Sequence, residues 1–132
     1  LDATEGNVGP AVWKTGLYGD NTCAGLSTPE LLLGAGSQLT FFSQYAIENG
    51  WDKGEVQIST DGVNWQRLEV GYPTNSARTS DSCGLPVGDY FTGEPGLSYV
   101  QYSADLSSFA GQFVRVRFLI SSDGSQTRDG WW

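Results

Sequence analysis

The sequence predicts an all-β fold: a two-layer antiparallel β-sandwich with jelly-roll or related Greek-key connections. Apolar residues recur at every second position in several short runs, which is the period of a half-buried strand. Turn-forming residues separate these runs, including 18 Gly and 5 Pro among 132 residues. The length is that of one domain, residues 1–132, and is sufficient to bury a core.

The stretch from Leu39 to Val70 has the clearest strand pattern and is predicted to be a meander of three consecutive antiparallel strands. Asp61 and Gly62 turn the chain between the second and third strands, since Gly accepts a positive φ and Asp bonds the backbone that follows it. Phe42 breaks the alternation. The polar residues Glu55, Gln57 and Ser59 are expected to point away from the core. The residues expected to face it are Leu39, Phe41, Tyr45, Ile47, Val56, Ile58, Leu68 and Val70.

The regions before this stretch contain one weaker strand. Residues 1–26 are predicted to be irregular, with Cys23 in a loop. Residues 27–33, STPELLL, are typical of an edge strand whose regular pairing begins at Glu30, because Pro29 cannot donate to a ladder.

After the central stretch, residues 99–106 and 112–121 alternate again and are predicted to be strands, joined by a short turn with 3₁₀ character. Arg115 and Arg117 point outward in the second of them and are expected to pair with Glu55 or Glu69 on a neighbouring strand. Gly130 begins a last, short strand.

The segment from Gly71 to Glu94 is too long for a simple hairpin, and long ordered loops are usually functional or pinned. The two cysteines, Cys23 and Cys83, are predicted to form a disulfide that pins it, worth roughly 4 kcal/mol on the chain-entropy model. Such a bond indicates an oxidising compartment. Two unrelated buried thiols are the alternative. A catalytic thiol is disfavoured, because no His is present to lower its pKa.

Composition excludes several classes of function. Acidic residues outnumber basic ones 15 to 7, and the net charge of −8 repels phosphate backbones, so no nucleic-acid partner is expected. The lack of His excludes imidazole-dependent catalysis within this chain and the usual His-containing zinc sites. No run is long and apolar enough to predict a membrane span. The lack of an initiator Met or a signal peptide predicts a mature or excised piece of a larger protein.

The ordered set of motifs resembles the MAM-like jelly-roll accessory domains of secreted bacterial proteins. It is similar to the domains that follow the catalytic unit of immune inhibitor A type metalloproteases and to those of related surface proteins. The resemblance covers residues 27–132. Its main motifs are LTFFSQYAIE at 39–48, EVQIS at 55–59, ADLSSFAGQ at 104–112, VRVRF at 114–118 and DGW at 129–131.

Two departures from the family pattern stand out. Family members continue past the Gly-Trp step with an apolar strand, so either this chain is clipped before its closing strand or that strand comes from elsewhere. The segment 71–96 with its cysteine also differs from the usual compact connection.

Four acidic residues are candidate ligands for a structural Ca²⁺, a cofactor that the resemblance implies. Glu48 and Asp52 flank one loop and Asp123 and Asp129 flank another, and the resemblance implies that both loops lie at one end of the sandwich. Oxygen ligands converging from loops are what Ca²⁺ requires. Solvated turn acids without a metal are the alternative. Glu48 and Asp52 are also the candidate pair for glycosidase chemistry, because two carboxylates at a suitable separation are sufficient for it.

Three rings in loops, Trp51, Tyr72 and Tyr90, are the candidates for an exposed platform that stacks on sugars. Rings that fill the core and cap its ends are the alternative for most aromatic residues in a small sandwich.

The resulting prediction is a non-catalytic accessory module of a secreted or cell-surface bacterial protein, for example a protease, that binds a substrate or partner. Its expected partners are other domains of the parent protein, an extracellular protein or a glycan. A carbohydrate-binding module is the first alternative, and a carboxylate-dependent hydrolase is the second.

Overall fold

The computed structural model describes residues 12–78, 81–96 and 98–132. No helix in these ranges has the length and apolar character that a membrane crossing requires. A short 3₁₀ helix spans Ser107–Phe109 where the sequence predicts one. The strands, in chain order, are β1 Cys23–Ser27, β2 Leu31–Leu32, β3 Gln38–Ser43, β4 Tyr45–Ala46, β5 Lys53–Ser59, β6 Gln66–Arg67, β7 Val100–Asp105, β8 Phe113–Ser121 and β9 Gly130–Trp131.

One sheet is built around β8. Strands β1 and β2 pair with one edge of β8, β5 pairs with the other, and β6 lies beyond β5. All of these pairs are antiparallel. The register sets Val56 opposite Phe118 and Lys53 opposite Ser121.

The other layer is formed by β3 paired with β7 and by β4 paired with β9. The predicted meander is therefore wrong in its first step: β3 and β4 do not pair with β5. The turn between Glu48 and Asp52 carries the chain from one sheet to the other, and only the hairpin from β5 to β6 forms as expected. Alternation predicts which side of a strand is buried, but it does not predict which strand lies alongside, because the same alternation occurs with any neighbour.

The two layers bury one core between them, as predicted. It includes the inward residues of both layers, and Ile47, Val56 and Ile58 are completely buried. Phe91, from the long segment, lies at its centre with a ring centroid 5.2 Å from that of Trp131 and 5.4 Å from that of Tyr45. The inward parity of the central strands is confirmed.

The opposite face of β5 is not open to solvent, which corrects the expectation for its polar residues. Glu55, Gln57 and Ser59 are only 4%, 7% and 3% exposed. The long segment crosses this face and forms a second, smaller apolar cluster on it, consisting of Ala77, Leu85, Tyr90 and Leu119 with Cys83 against it. β5 is consequently buried on both sides.

The disulfide between Cys23 and Cys83 is confirmed, with Cα atoms 5.1 Å apart. It pins the long segment to the sheet. The expectation that Cys23 lies in a loop is wrong, because Cys23 is the first residue of β1, opposite Ser121 of β8. β1 is exposed along its whole length, so the apolar pattern that reveals a strand in a sequence is missing from it.

The outward arginines do not pair with Glu55 or Glu69. Arg115 lies 4.0 Å from Glu30, with both side chains about half exposed. Arg117 donates to Gln57, the residue opposite it on β5, and its guanidinium lies 4.1 Å from the centroid of the Trp65 ring. Glu69 is bound instead by Arg67.

Candidate functional site

Three carboxylates converge at one end of the sandwich. Glu48, Asp52 and Asp123 each offer one oxygen, and these oxygens all lie within 4.8 Å of one another. We call this group the acidic cluster. Asp52 N donates to Glu48 O, a single turn that brings the first two together. Asp123 follows β8 closely, and the pairing of Lys53 with Ser121 places it beside Asp52.

Asp52 is fully buried, and both of its oxygens are held by donors. Asp123 N donates to Oδ1 at 2.9 Å, and the hydroxyl of Tyr18 donates to Oδ2 at 2.7 Å. Burial nevertheless raises the pKa of Asp52, and it outweighs the lowering effect of these two donors. Burial and the bond to Asp52 also raise the pKa of Tyr18 well above its ordinary range, so this hydroxyl keeps its proton.

Glu48 is 8% exposed, and its Oε2 has no hydrogen-bond partner among the described residues. Burial raises its pKa, and the charges of Asp123 and Asp52 raise it further, whereas Arg128 opposes them. A buried oxygen without a donor costs free energy unless it gains a proton or a cation. Glu48 Oε2 is therefore the oxygen of the cluster for which the described residues supply no hydrogen-bond donor.

The cluster suits a hard divalent cation. Ca²⁺ is bound by carboxylate oxygens supplemented by carbonyls and waters, and a larger negative charge among its ligands favours binding. Asp20 adds to the negative field that acts on both Glu48 and Asp52. Three of the four acids expected from the sequence are thus brought together.

Asp129 is the exception, and its expected place with the other three is wrong. It is exposed and lines a separate cleft together with Lys14 and Trp132. Asp129 immediately precedes Gly130, the first residue of β9, so it lies at the opposite end of the loop from Asp123. Sequence reasoning missed Tyr18, since a hydroxyl contact across 34 residues leaves no local pattern.

The three candidate rings do not form an exposed platform. Tyr90 is 2% exposed and donates its hydroxyl to Pro86 O, and the hydroxyl of Tyr72 bonds Val56 N. The Arg67 guanidinium lies against both rings. Trp51 is half-buried, with the Arg78 guanidinium 4.2 Å from its ring centroid. For Tyr90 the expectation of exposure is wrong, because the long segment folds inward over β5. Tyr72 is half-buried, as Trp51 is.

A cleft of about 530 Å³ lies beside the acidic cluster. Its lining includes Tyr102, Asn49, Asn75, Glu94 and Arg128. Thr92, also in the lining, donates to Glu48 O and accepts from Gly50 N, so the wall of the cleft and the turn that holds the cluster are joined.

Comparison with models of known protein families finds no match to the chain. A search of curated proteins finds no matching sequence either.

Proposed function

We propose that this chain is a non-catalytic accessory module of a secreted or cell-surface protein. Ca²⁺ held by the acidic cluster stabilises the loop end of the sandwich, and the module binds its partner at that end. The observation that carries the proposal is the buried, unpartnered Oε2 of Glu48, a residue whose carboxylate lies close to two others. A divalent cation supplies the missing partner and offsets the repulsion among the three charges.

The disulfide supports a location outside the reducing cytosol. Such bonds persist in oxidising compartments and are rare where thiols are kept reduced. The partner is another domain of the parent protein, an extracellular protein or a glycan.

The metal part of the proposal is tested by melting the purified chain in excess Ca²⁺ and in EDTA. Binding to the folded state alone stabilises by about 2.7 kcal/mol when the ion is present at a hundred times its Kd. We expect a higher Tm in Ca²⁺ and a calorimetric stoichiometry of one. Glu48→Gln is expected to abolish both. Asp129→Asn, which removes an exposed acid outside the cluster, is the matched control and is expected to keep both. An identical Tm in Ca²⁺ and EDTA, with no binding heat, would reject the site.

A second candidate function is carbohydrate binding, favoured by the cleft beside the cluster. Amide, hydroxyl and charged side chains line it together with the Tyr102 ring, and this combination suits sugar hydroxyls and ring faces. A glycan array in Ca²⁺ tests it: binding that is lost in Glu94→Gln and kept in Glu69→Gln, an exposed acid outside the cleft, would support this function.

Hydrolysis by Glu48 and Asp52 has less support from the geometry. The Asp52 side chain is fully buried and is held by Tyr18 and Asp123 rather than facing a substrate. Turnover of a glycoside or peptide by the pure chain, lost in Asp52→Asn, would favour this alternative over the binding role.

A further inference from the structure

A lysine and an aspartate are enclosed together on the face of β5 that the long segment covers. Lys53 Nζ lies 2.5 Å from Asp81 Oδ2, and both side chains are completely shielded from solvent. Burial alone would raise the pKa of Asp81, but hydrogen bonds from Lys53, Ser121 and Leu85 outweigh it and hold the pKa below its usual range. The pair is therefore an ion pair, and its desolvation is costly.

The two oxygens of Asp81 have different surroundings. Oδ1 accepts from Ser121 Oγ at 2.6 Å, from Cys83 N at 3.0 Å and from Leu85 N at 3.1 Å. Oδ2 has Lys53 Nζ as its donor. One oxygen thus accepts from three hydrogen-bond donors, while the other faces the Lys53 ammonium.

We propose that Lys53 and Asp81 condense to an intramolecular amide, an isopeptide bond between Nζ and Cγ. One proton of the ammonium passes to Oδ2, and the nitrogen lone pair that this frees attacks Cγ. A second proton then passes from the nitrogen of the tetrahedral intermediate to the same oxygen, and the Cγ–Oδ2 bond breaks so that Oδ2 leaves as water. The amide keeps the third proton on Nζ and keeps Oδ1 as its carbonyl oxygen. The step is a condensation without any redox change and needs no co-reactant.

Three features of the enclosure favour this step. The reacting groups are held in contact, which replaces a bimolecular encounter by an intramolecular one. The donors on Oδ1 stand where negative charge develops in the tetrahedral intermediate, and they act in a site shielded from water. The product is neutral, so the desolvation cost of two buried charges disappears.

The bond would be a second covalent link in the same segment. Cys83 ties this segment to β1, and Asp81, two residues earlier, would tie it to β5. The segment would then stay on the sheet even when the disulfide is reduced, a property suited to a module exposed outside the cell.

The intact mass of the purified, fully reduced chain tests the proposal. We expect a mass lower than that of the sequence by one water, and a branched peptide joining Lys53 to Asp81 in a proteolytic digest. A mass equal to that of the sequence overturns the proposal and leaves a plain buried ion pair. Loss of water at an Asp-Gly step gives the same mass but reverses in mild base, so a reversible loss without a branched peptide also overturns it.

Variants provide the controls. Lys53→Arg keeps a cation beside Asp81 but cannot form this amide, and Asp81→Ala removes the electrophile, so both are expected to show the full mass. Lys14→Arg changes a lysine outside the enclosure and is expected to retain the loss of one water. If a pair variant fails to fold, the mass of the wild-type chain still decides. This outcome is independent of the calcium test.

Discussion

The hydroxyl of Tyr18 donates to Asp52 Oδ2 at 2.7 Å and accepts from Glu48 N at 3.1 Å. One side chain from the segment before β1 thus satisfies two buried groups of the turn that forms the acidic cluster. The cluster is assembled across the fold, because its third member, Asp123, comes from the loop after β8.

Removing this hydroxyl is expected to destabilise the protein. Tyr18→Phe leaves a buried carboxylate oxygen and a buried backbone N–H without their partner, at a cost of about 1–3 kcal/mol for such a group. Urea denaturation in EDTA measures the loss. Tyr90→Phe, which removes one bond to Pro86 O outside the cluster, is the comparison and is expected to lose less. Equal losses of unfolding free energy in the two variants would contradict the prediction that the Tyr18 hydroxyl contributes more than the Tyr90 hydroxyl.

Breaking the disulfide is expected to cost roughly 4 kcal/mol, since it closes a loop with a sequence separation of 60 residues. The double variant Cys23→Ser, Cys83→Ser is compared with the wild type by urea denaturation with and without reductant. Reductant should lower the stability of the wild type to that of the variant and should not affect the variant. A variant as stable as the oxidised wild type would contradict this prediction.

Gly130 is expected to tolerate no side chain. Its φ is 113°, and a Cβ would collide with Gly16 O and with Thr15 Oγ1. Gly130→Ala should lose about 1–3 kcal/mol from the backbone conformation alone, with the collision in addition. Gly34→Ala is the matched control, because no atom lies within 4 Å of a Cβ at that position. Thermal melts of the two variants should therefore differ clearly, and similar values would contradict the geometry.

The turn after β5 gives a prediction of pH dependence. Hydrogen bonds from the Asn64 side chain, Asn64 N and Val63 N hold the pKa of Asp61 well below its ordinary value of 3.8. Because the pKa is lower in the folded state, the stabilisation is fully present above the unfolded-state pKa. It is lost as the pH falls from there through the folded-state pKa. The Tm difference between wild type and Asp61→Ala should therefore be largest near neutral pH and shrink in strong acid. A difference that is constant with pH would contradict the prediction.

Local chemistry made a large part of this fold predictable. The alternation around Val56 and Val116 identifies their buried sides, and both are almost completely enclosed. The Asp61 turn forms because its bonds reach only two or three residues ahead. The disulfide followed from having just two cysteines in turn-rich surroundings.

Partnership between distant segments was not predictable in the same way. The choice of β7 rather than β5 as the neighbour of β3 depends on how the chain crosses between layers. The burial of Glu55 depends on the long segment, which has no periodic pattern to show where it lies. For the same reason Asp129 was grouped with acids that it does not meet.

The sequence by itself therefore determined the fold class, the inward side of the main strands and the cysteine pair, because each depends on the order of neighbouring side chains or on a simple count. Only the tertiary structure decided that Glu48, Asp52 and Asp123 meet, that Tyr18 supports them, and that Lys53 and Asp81 are enclosed together. These contacts join segments far apart in the chain, and their energy comes from burial and hydrogen bonds that exist only once both sheets and the covering segment are in place.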